Sequence, residues 1–114
     1  MLEFVEFPAF TKRLALLAGQ YADEVLSAIQ NDLLQNPERG SVVQETGGVR
    51  KARVADPMRG KGKRGGFRYL YYYIERDGQI FLLMIFSKAE QAGLTREQKK
   101  TLKLAILELK ESRK

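Results

Sequence analysis

The chain has 114 residues, of which 44% are hydrophobic and 30% charged, and its formal net charge is +6. It contains neither cysteine nor histidine, which excludes disulfides, thiolate metal sites and the commonest general base of enzymes. Its longest apolar run, residues 80–86, is too short to cross a bilayer, and the N-terminus lacks the basic-then-apolar order of a signal peptide. These features predict one domain, residues 1–114, that is cytoplasmic and has no membrane partner.

The first third of the sequence predicts a short strand and a helical hairpin. Residues 2–6 alternate weakly in polarity, and Pro8 suits the first turn of a helix that Gly19 would cap. A second helix would end at Asn36-Pro37. Its apolar residues recur at helical spacing: Ala22, Val25, Leu26, Ile29 and Leu33. Nothing in these helices indicates chemistry.

From residue 39 to 48 the sequence predicts turns, and after that its periodicity becomes that of β-strands. Val49–Val54 and Phe67–Glu75 are typical of strands, and a Gly-rich basic loop separates them. Asp77-Gly78 predicts a hairpin, so residues 79–86 should return antiparallel. Because this last segment lacks polar alternation, we expect a strand covered on both faces.

The C-terminal segment predicts one more helix. Thr95 and Gln98 form a capping box at its start. Its expected buried stripe consists of Leu102, Ala105, Ile106 and Leu109. The predicted order is therefore β-α-α-β-β-β-α, an α+β fold in which a mostly antiparallel sheet packs against helices.

Positive charge is concentrated between Arg50 and Arg68. This stretch has eight basic residues and one acidic residue, so its charge of +7 exceeds that of the whole chain, whereas residues 1–48 sum to −4. The basic residues are Arg50, Lys51, Arg53, Arg59, Lys61, Lys63, Arg64 and Arg68. Since solubility does not require cations on strands, the pattern favours a surface that binds a polyanion over a merely solvated loop.

Strand alternation sorts the side chains of this region by face. Lys51 and Arg53 are two residues apart, so they share a face and can hold a phosphate from two sides. Tyr72 shares a face with Arg68, whereas Tyr69, Tyr71 and Tyr73 lie on the other. Sheet packing accounts for most of these tyrosines, and Tyr72 is the one expected to join the basic surface and stack on a base.

Other catalytic motifs are not supported. The sequence GKGKRGG leads into a strand and lacks the Ser or Thr of a Walker loop, so nucleotide hydrolysis is not expected. Carboxylates such as Glu75, Asp77 and Glu90 are dispersed, which gives no support to a metal site or an acid–base pair. We expect no metal and no cofactor.

Three segments are similar to a known family: TGGVRKARVAD, GKGKRGGFRYLYYYIERDGQIFLLMIFSKAEQAGLT and REQKKTLK. Together with the element order they resemble the HigB-type branch of the RelE/ParE toxin superfamily. The resemblance implies a RelE-like fold and the toxin of a type II toxin–antitoxin pair. Such a toxin is an mRNA endonuclease that works in the ribosomal A site, where a ribose 2′-hydroxyl attacks the neighbouring phosphate. Its implied partners are the ribosome, mRNA and a cognate antitoxin with a helix-turn-helix DNA-binding domain.

The resemblance also assigns roles to residues. Lys51 and Arg53 match the basic pair of the family's second strand, Arg68 matches the arginine that opens its third strand, and Lys88 matches the lysine after its fourth. These four are the candidate catalytic residues. Ala89 replaces the family's general-acid arginine, so Lys88, a loop base or the ribosome must donate the proton. The candidate RNA-binding residues are Arg50, Arg59, Lys61, Lys63, Arg64 and Tyr72.

Two alternatives stay open at this point. One is a non-nucleolytic toxin or binding module of the same fold, such as a ParE-like inhibitor of DNA gyrase. The other is an RNA-binding remnant that has lost catalysis, which the replacement by Ala89 keeps possible. The basic strand residues Lys51, Arg53 and Arg68 discriminate between the gyrase inhibitor and the nuclease, because an inhibitor of gyrase does not need a phosphate-binding cluster on these strands.

Overall fold

The computed structural model describes residues 2–58, 66–90 and 93–113. Within these ranges the chain forms a five-stranded sheet and three α-helices. The strands are β1 (Glu3–Glu6), β2 (Ser41–Val42), β3 (Arg50–Val54), β4 (Phe67–Ile74) and β5 (Gln79–Ser87). The helices are α1 (Pro8–Ala18), α2 (Ala22–Gln35) and α3 (Arg96–Glu111). The predicted helix boundaries are confirmed at Pro8, at Gly19 and at the Thr95–Gln98 capping box.

The sheet has the strand order β1-β5-β4-β3-β2 and is mostly antiparallel, as predicted. β1 is the exception, because it pairs with β5 in parallel. β2 was not predicted, so the order is β-α-α-β-β-β-β-α. β2 lies inside the segment predicted as turns, and it pairs with β3 through Ser41 and Lys51 and through Val42 and Arg50. A strand of two residues is too short to show an alternation of polar and apolar side chains. Only its pairing with the neighbouring strand can therefore specify it.

Helices cover the two faces of the sheet unequally. α1 and α2 bury one face, where Phe10, Ile29 and Leu33 pack on Tyr69 and Ile85. On the other face α3 packs on a smaller cluster, and Ile106 is the only residue of this helix that is fully buried. Its other predicted stripe residues are half-buried. The α3 face of the sheet is therefore partly open.

β5 carries one more residue than the strand it pairs with. Leu70 pairs with Met84 and Tyr71 pairs with Leu82, so Leu83 has no cross-strand partner. Such a bulge changes which way the following side chains point. Leu83 and Met84 both face α3, and so does Phe86.

A buried tyrosine joins this sheet to the connection between α2 and β2. The Tyr71 hydroxyl donates to the carbonyl of Pro37 at 2.8 Å and accepts from the N–H of Gly40 at 2.9 Å. The neighbouring Tyr69 hydroxyl is buried, and the structure gives it no hydrogen-bond partner among the described residues. Burial raises the pKa of both tyrosines, so both hydroxyls stay protonated at neutral pH.

We expect Tyr71→Phe to lower the free energy of unfolding by about 1–3 kcal/mol, because the half-buried carbonyl of Pro37 and the buried amide of Gly40 lose their partner. Tyr69→Phe is the matched control and should be neutral or stabilising, since it removes a buried hydroxyl that has no partner to lose. Urea denaturation of both variants measures the difference. Equal losses for the two variants would contradict this account.

Candidate functional site

Strands β3 and β4 bring three of the predicted catalytic cations onto one face. Arg53 pairs directly with Arg68, and Lys51 pairs with Leu70, two residues further along β4. Paired residues point to the same side of a sheet, with Cβ atoms about 4.5–5.5 Å apart. Because Leu70 faces α3, all three cations lie on the α3 face. The predicted strand position of Lys51 and Arg53, two residues apart on one face, is confirmed, while the catalytic roles of the three cations stay predictions.

No residue that the structure describes compensates the charge of these three cations. Neither Lys51, Arg53 nor Arg68 makes an ion pair or a hydrogen bond through its side chain to any residue that the structure describes. Like charges directly opposite each other across two strands are destabilising. Arg53 is exposed, while Lys51 and Arg68 are half-buried. An anion bound between the two arginines would relieve this repulsion, which is the arrangement expected of a phosphate site.

Lys88 lies beyond the same end of the strands. Ser87, the last residue of β5, pairs with Phe67, and Phe67 pairs with Val54. Lys88 follows Ser87 and is exposed. It therefore follows Phe86, the partner of Arg68, by two residues and lies past the end of β5, beyond the row that holds Arg68. Lys51 lies on the opposite side of that row.

A carboxylate anchors the turn that carries Lys88. Glu90 accepts a hydrogen bond from the backbone N–H of Ser87 at 2.8 Å and another from the guanidinium of Arg13. Arg13 also donates to the carbonyl of Ile85 at 3.3 Å. The bond from Ser87, helped by that from Arg13, holds the pKa of Glu90 below its usual range against a smaller opposing effect of burial. Helix α1 thereby fixes the turn after β5.

Two predicted RNA-binding residues lie apart from this group. Arg50 faces α1 and α2, where its guanidinium donates to the carbonyl of Gly40 at 2.7 Å and pairs with the Glu38 carboxylate. Because adjacent strand residues alternate, Arg50 is on the opposite face from Lys51, and it holds the turn before β2 instead of adding to the basic surface. This corrects the expectation for Arg50.

Tyr72 shares a face with Arg68 as predicted, but this is the α3 face, and Tyr72 packs into the cluster beneath α3. A Cβ on Gly48 would lie 3.1 Å from its ring, so the ring is held against that turn. Four residues of strand, about 13 Å, separate Tyr72 from Arg68. The remaining candidates, Arg59, Lys61, Lys63 and Arg64, lie outside the described residues.

The described ranges contain no helix that is long and apolar enough to cross a membrane. In the same ranges, no three His, Cys, Asp or Glu side chains come together as metal ligands would.

Comparison with known proteins identifies the fold and the family. The family model described as the RelE toxin of the RelE/RelB toxin–antitoxin system matches residues 18–113. A chain in the crystal structure of the intact E. coli RelBE toxin–antitoxin complex is 16% identical, with a TM-score of 0.56 over 80% of this chain and 100% of that one. The isolated E. coli RelE toxin is 13% identical, with a TM-score of 0.55 over 92% of this chain and 99% of that one. Because the family match covers most of its length, the chain belongs to the RelE toxin family.

Proposed function

We propose that this RelE-family toxin is an mRNA endoribonuclease of the HigB-type branch, which cuts mRNA in the ribosomal A site and thereby stops translation. One observation carries the proposal. Arg53 and Arg68 lie side by side without a carboxylate partner among the described residues, and Lys51 lies on the same face. A ParE-like inhibitor of gyrase has no need of such a cluster, so the observation favours the nuclease.

The arrangement of the cations suits the reaction. Attack by a ribose 2′-hydroxyl requires removal of its proton, neutralisation of the crowded phosphate and protonation of the departing 5′-oxygen. Arg53 and Arg68 are placed to neutralise the phosphate as its fifth bond to oxygen forms. In an in-line displacement the attacking and leaving oxygens lie on opposite sides of phosphorus. Lys51 and Lys88 lie on opposite sides of the arginine pair. In this scheme Lys51 accepts the proton of the attacking 2′-hydroxyl, and Lys88 donates a proton to the departing 5′-oxygen.

Lys88 is the proton donor in this scheme. Ala89 has no group to donate, and Lys88 is exposed beside it at the end of β5. The turn that carries Lys88 is tied to α1 through Glu90, which keeps the lysine near the leaving group. No step of the scheme uses a metal ion or a cofactor.

The proposal includes the partners of such a toxin. The E. coli RelBE structure is a toxin–antitoxin complex, and we propose that this chain too has a cognate antitoxin, one with a helix-turn-helix DNA-binding domain. Its substrate is mRNA on the ribosome, so it acts in the cytoplasm as a single domain, residues 1–114.

We expect the purified toxin to cut an mRNA on programmed ribosomes and to leave the same naked mRNA largely intact. The cations form one small patch on an open sheet face, which holds a phosphate but cannot by itself align a flexible strand. Primer extension on both substrates measures the difference. Equal cutting of the two would refute ribosome dependence.

Induction of the toxin in a bacterium separates the main alternatives. The nuclease should arrest growth by stopping protein synthesis. Continued protein synthesis together with a DNA-damage response would favour gyrase inhibition instead. Binding to ribosomes without cleavage would favour an RNA-binding remnant.

A further inference from the structure

Helix α3 carries leucines on its outer side as well as on the side that packs on the sheet. Leu104 is 58% exposed and Leu107 is 48% exposed, and neither belongs to the cluster that α3 forms with the sheet. Residues three apart are neighbours on a helix surface, so these two side chains form one apolar patch. The other exposed large apolar residues of the described ranges lie on separate elements: Leu16, Leu34, Val42 and Met58.

The two leucines belong to a longer stripe along the outer side of α3. Its members are all exposed, and they are Lys100, Leu104, Leu107 and Glu111. They follow one another at spacings of four, three and four residues. This is the spacing of the residues that form the seam between two helices of a coiled coil. The outer side of α3 is therefore suited to pair with another helix.

The stripe is complementary to itself when two copies run antiparallel. The midpoint between Leu104 and Leu107 is also the midpoint between Lys100 and Glu111. A two-fold axis at this point places Leu104 opposite Leu107 of the second copy. It also places Lys100 opposite Glu111 of the second copy. The pair then has leucine contacts at its centre and an ion pair at each end.

A parallel pair would lack this match. Identical residues would lie opposite each other, so Lys100 would meet Lys100 and Glu111 would meet Glu111. Like charges across a helix seam are unfavourable, and such charges commonly decide the orientation of paired helices. The order of the charges along α3 therefore selects the antiparallel arrangement.

We propose that the outer face of α3 pairs antiparallel with the same face of a second copy, so that the toxin forms a homodimer. The occupant is a second copy because the stripe supplies both halves of its own complement. The inference does not depend on the nuclease activity. Since four leucines make a small apolar contact, the dimer should be weak, with a Kd on the order of 10 μM.

Sedimentation velocity of the purified full-length toxin over a range of concentrations tests the pairing. The parent should pass from monomer to dimer as its concentration rises through the Kd. Leu107→Ala should weaken the dimer at least about tenfold, because symmetry removes the apolar contact twice. Leu16→Ala is the matched control, since Leu16 is an even more exposed leucine on α1. It should dimerise as the parent does.

Charge reversal tests the antiparallel register. Lys100→Glu and Glu111→Lys should each weaken the dimer about tenfold, because each change creates two like-charge pairs across the interface. The variant that carries both changes exchanges the two charges and should dimerise as the parent does. In a parallel pair neither single reversal would matter, since like charges would face each other before and after the change.

All these variants change exposed side chains, so their melting temperatures should stay near that of the parent. The proposal is wrong if the parent stays monomeric up to about 1 mM. It is also wrong if the dimer survives Leu107→Ala, or if the double charge reversal does not restore it. A monomeric parent whose binding to the antitoxin is weakened by Leu107→Ala would show that another protein, and not a second copy, covers this face.

Discussion

Replacement of Arg68 by alanine is expected to lower the rate of mRNA cleavage by about 100-fold or more, the usual scale for removing one electrostatic contact to a transition state. The same loss is expected for Arg53→Ala and Lys51→Ala, because all three cations act on one phosphate in the proposed mechanism. The melting temperature should stay unchanged or rise slightly for Arg68→Ala and Arg53→Ala, since either change removes a like-charge pair. Exposed charges otherwise change stability by about ±0.5 kcal/mol.

The measurement is the rate of cleavage at saturating toxin on programmed ribosomes, with the melting temperature of each variant taken in parallel. Arg76→Ala is the matched control, because Arg76 is exposed just past the far end of β4. It should cut as fast as the parent. If Lys51→Ala, Arg53→Ala and Arg68→Ala also do so, the cluster is not the active site. If activity and melting temperature fall together, the residues hold the fold and not the phosphate.

Gly66→Ala is expected to have the largest effect on stability, a loss of about 3 kcal/mol or more. A Cβ at Gly66 would lie 1.9 Å from the carbonyl oxygen of Val54 and 2.8 Å from the Cα of Ala55. Both are backbone atoms of the neighbouring segment, so no rotamer change relieves the clash. The start of β4 would have to move away from the end of β3, where Arg53 and Arg68 pair. Cleavage should therefore fall as well.

Gly93→Ala provides the control for Gly66→Ala. A Cβ at Gly93 meets no atom within 4 Å, and this substitution should be close to neutral. Urea denaturation of the two variants measures the free energies of unfolding. A loss below about 1 kcal/mol for Gly66→Ala would contradict the close packing of β3 against β4 at this point.

Features that depend on local sequence were predictable. Pro8, Gly19 and the Thr95–Gln98 capping box set helix ends through their own backbone chemistry, and the structure confirms them. Strand alternation placed Lys51 and Arg53 on one face because no bulge interrupts β3 or its pairing with β4. The same alternation places Arg50 on the other face.

Features that depend on distant residues were not predictable. The parallel pairing of β1 with β5 joins segments about 75 residues apart, and no local pattern encodes it. The contact between Arg13 and Glu90, which anchors the turn of Lys88, spans a similar distance along the chain. Phe86 could not be placed beside Arg68 for another reason. It belongs to an apolar run in which every residue looks equally suited to a core, so periodicity could not mark the one that lies beside Arg68.

The extra residue in β5 has a consequence for how this toxin can diverge. Because Leu83 bulges out of the pairing with β4, the residues on both sides of it have the partners that they would have in a strand one residue shorter. Loss of a single codon at Leu83 would join Leu82 directly to Met84 and restore regular alternation, while Ile85 and Phe86 keep their faces. A gap at Leu83 between two related genes would therefore remove the bulge without exchanging the side chains on either face of the sheet.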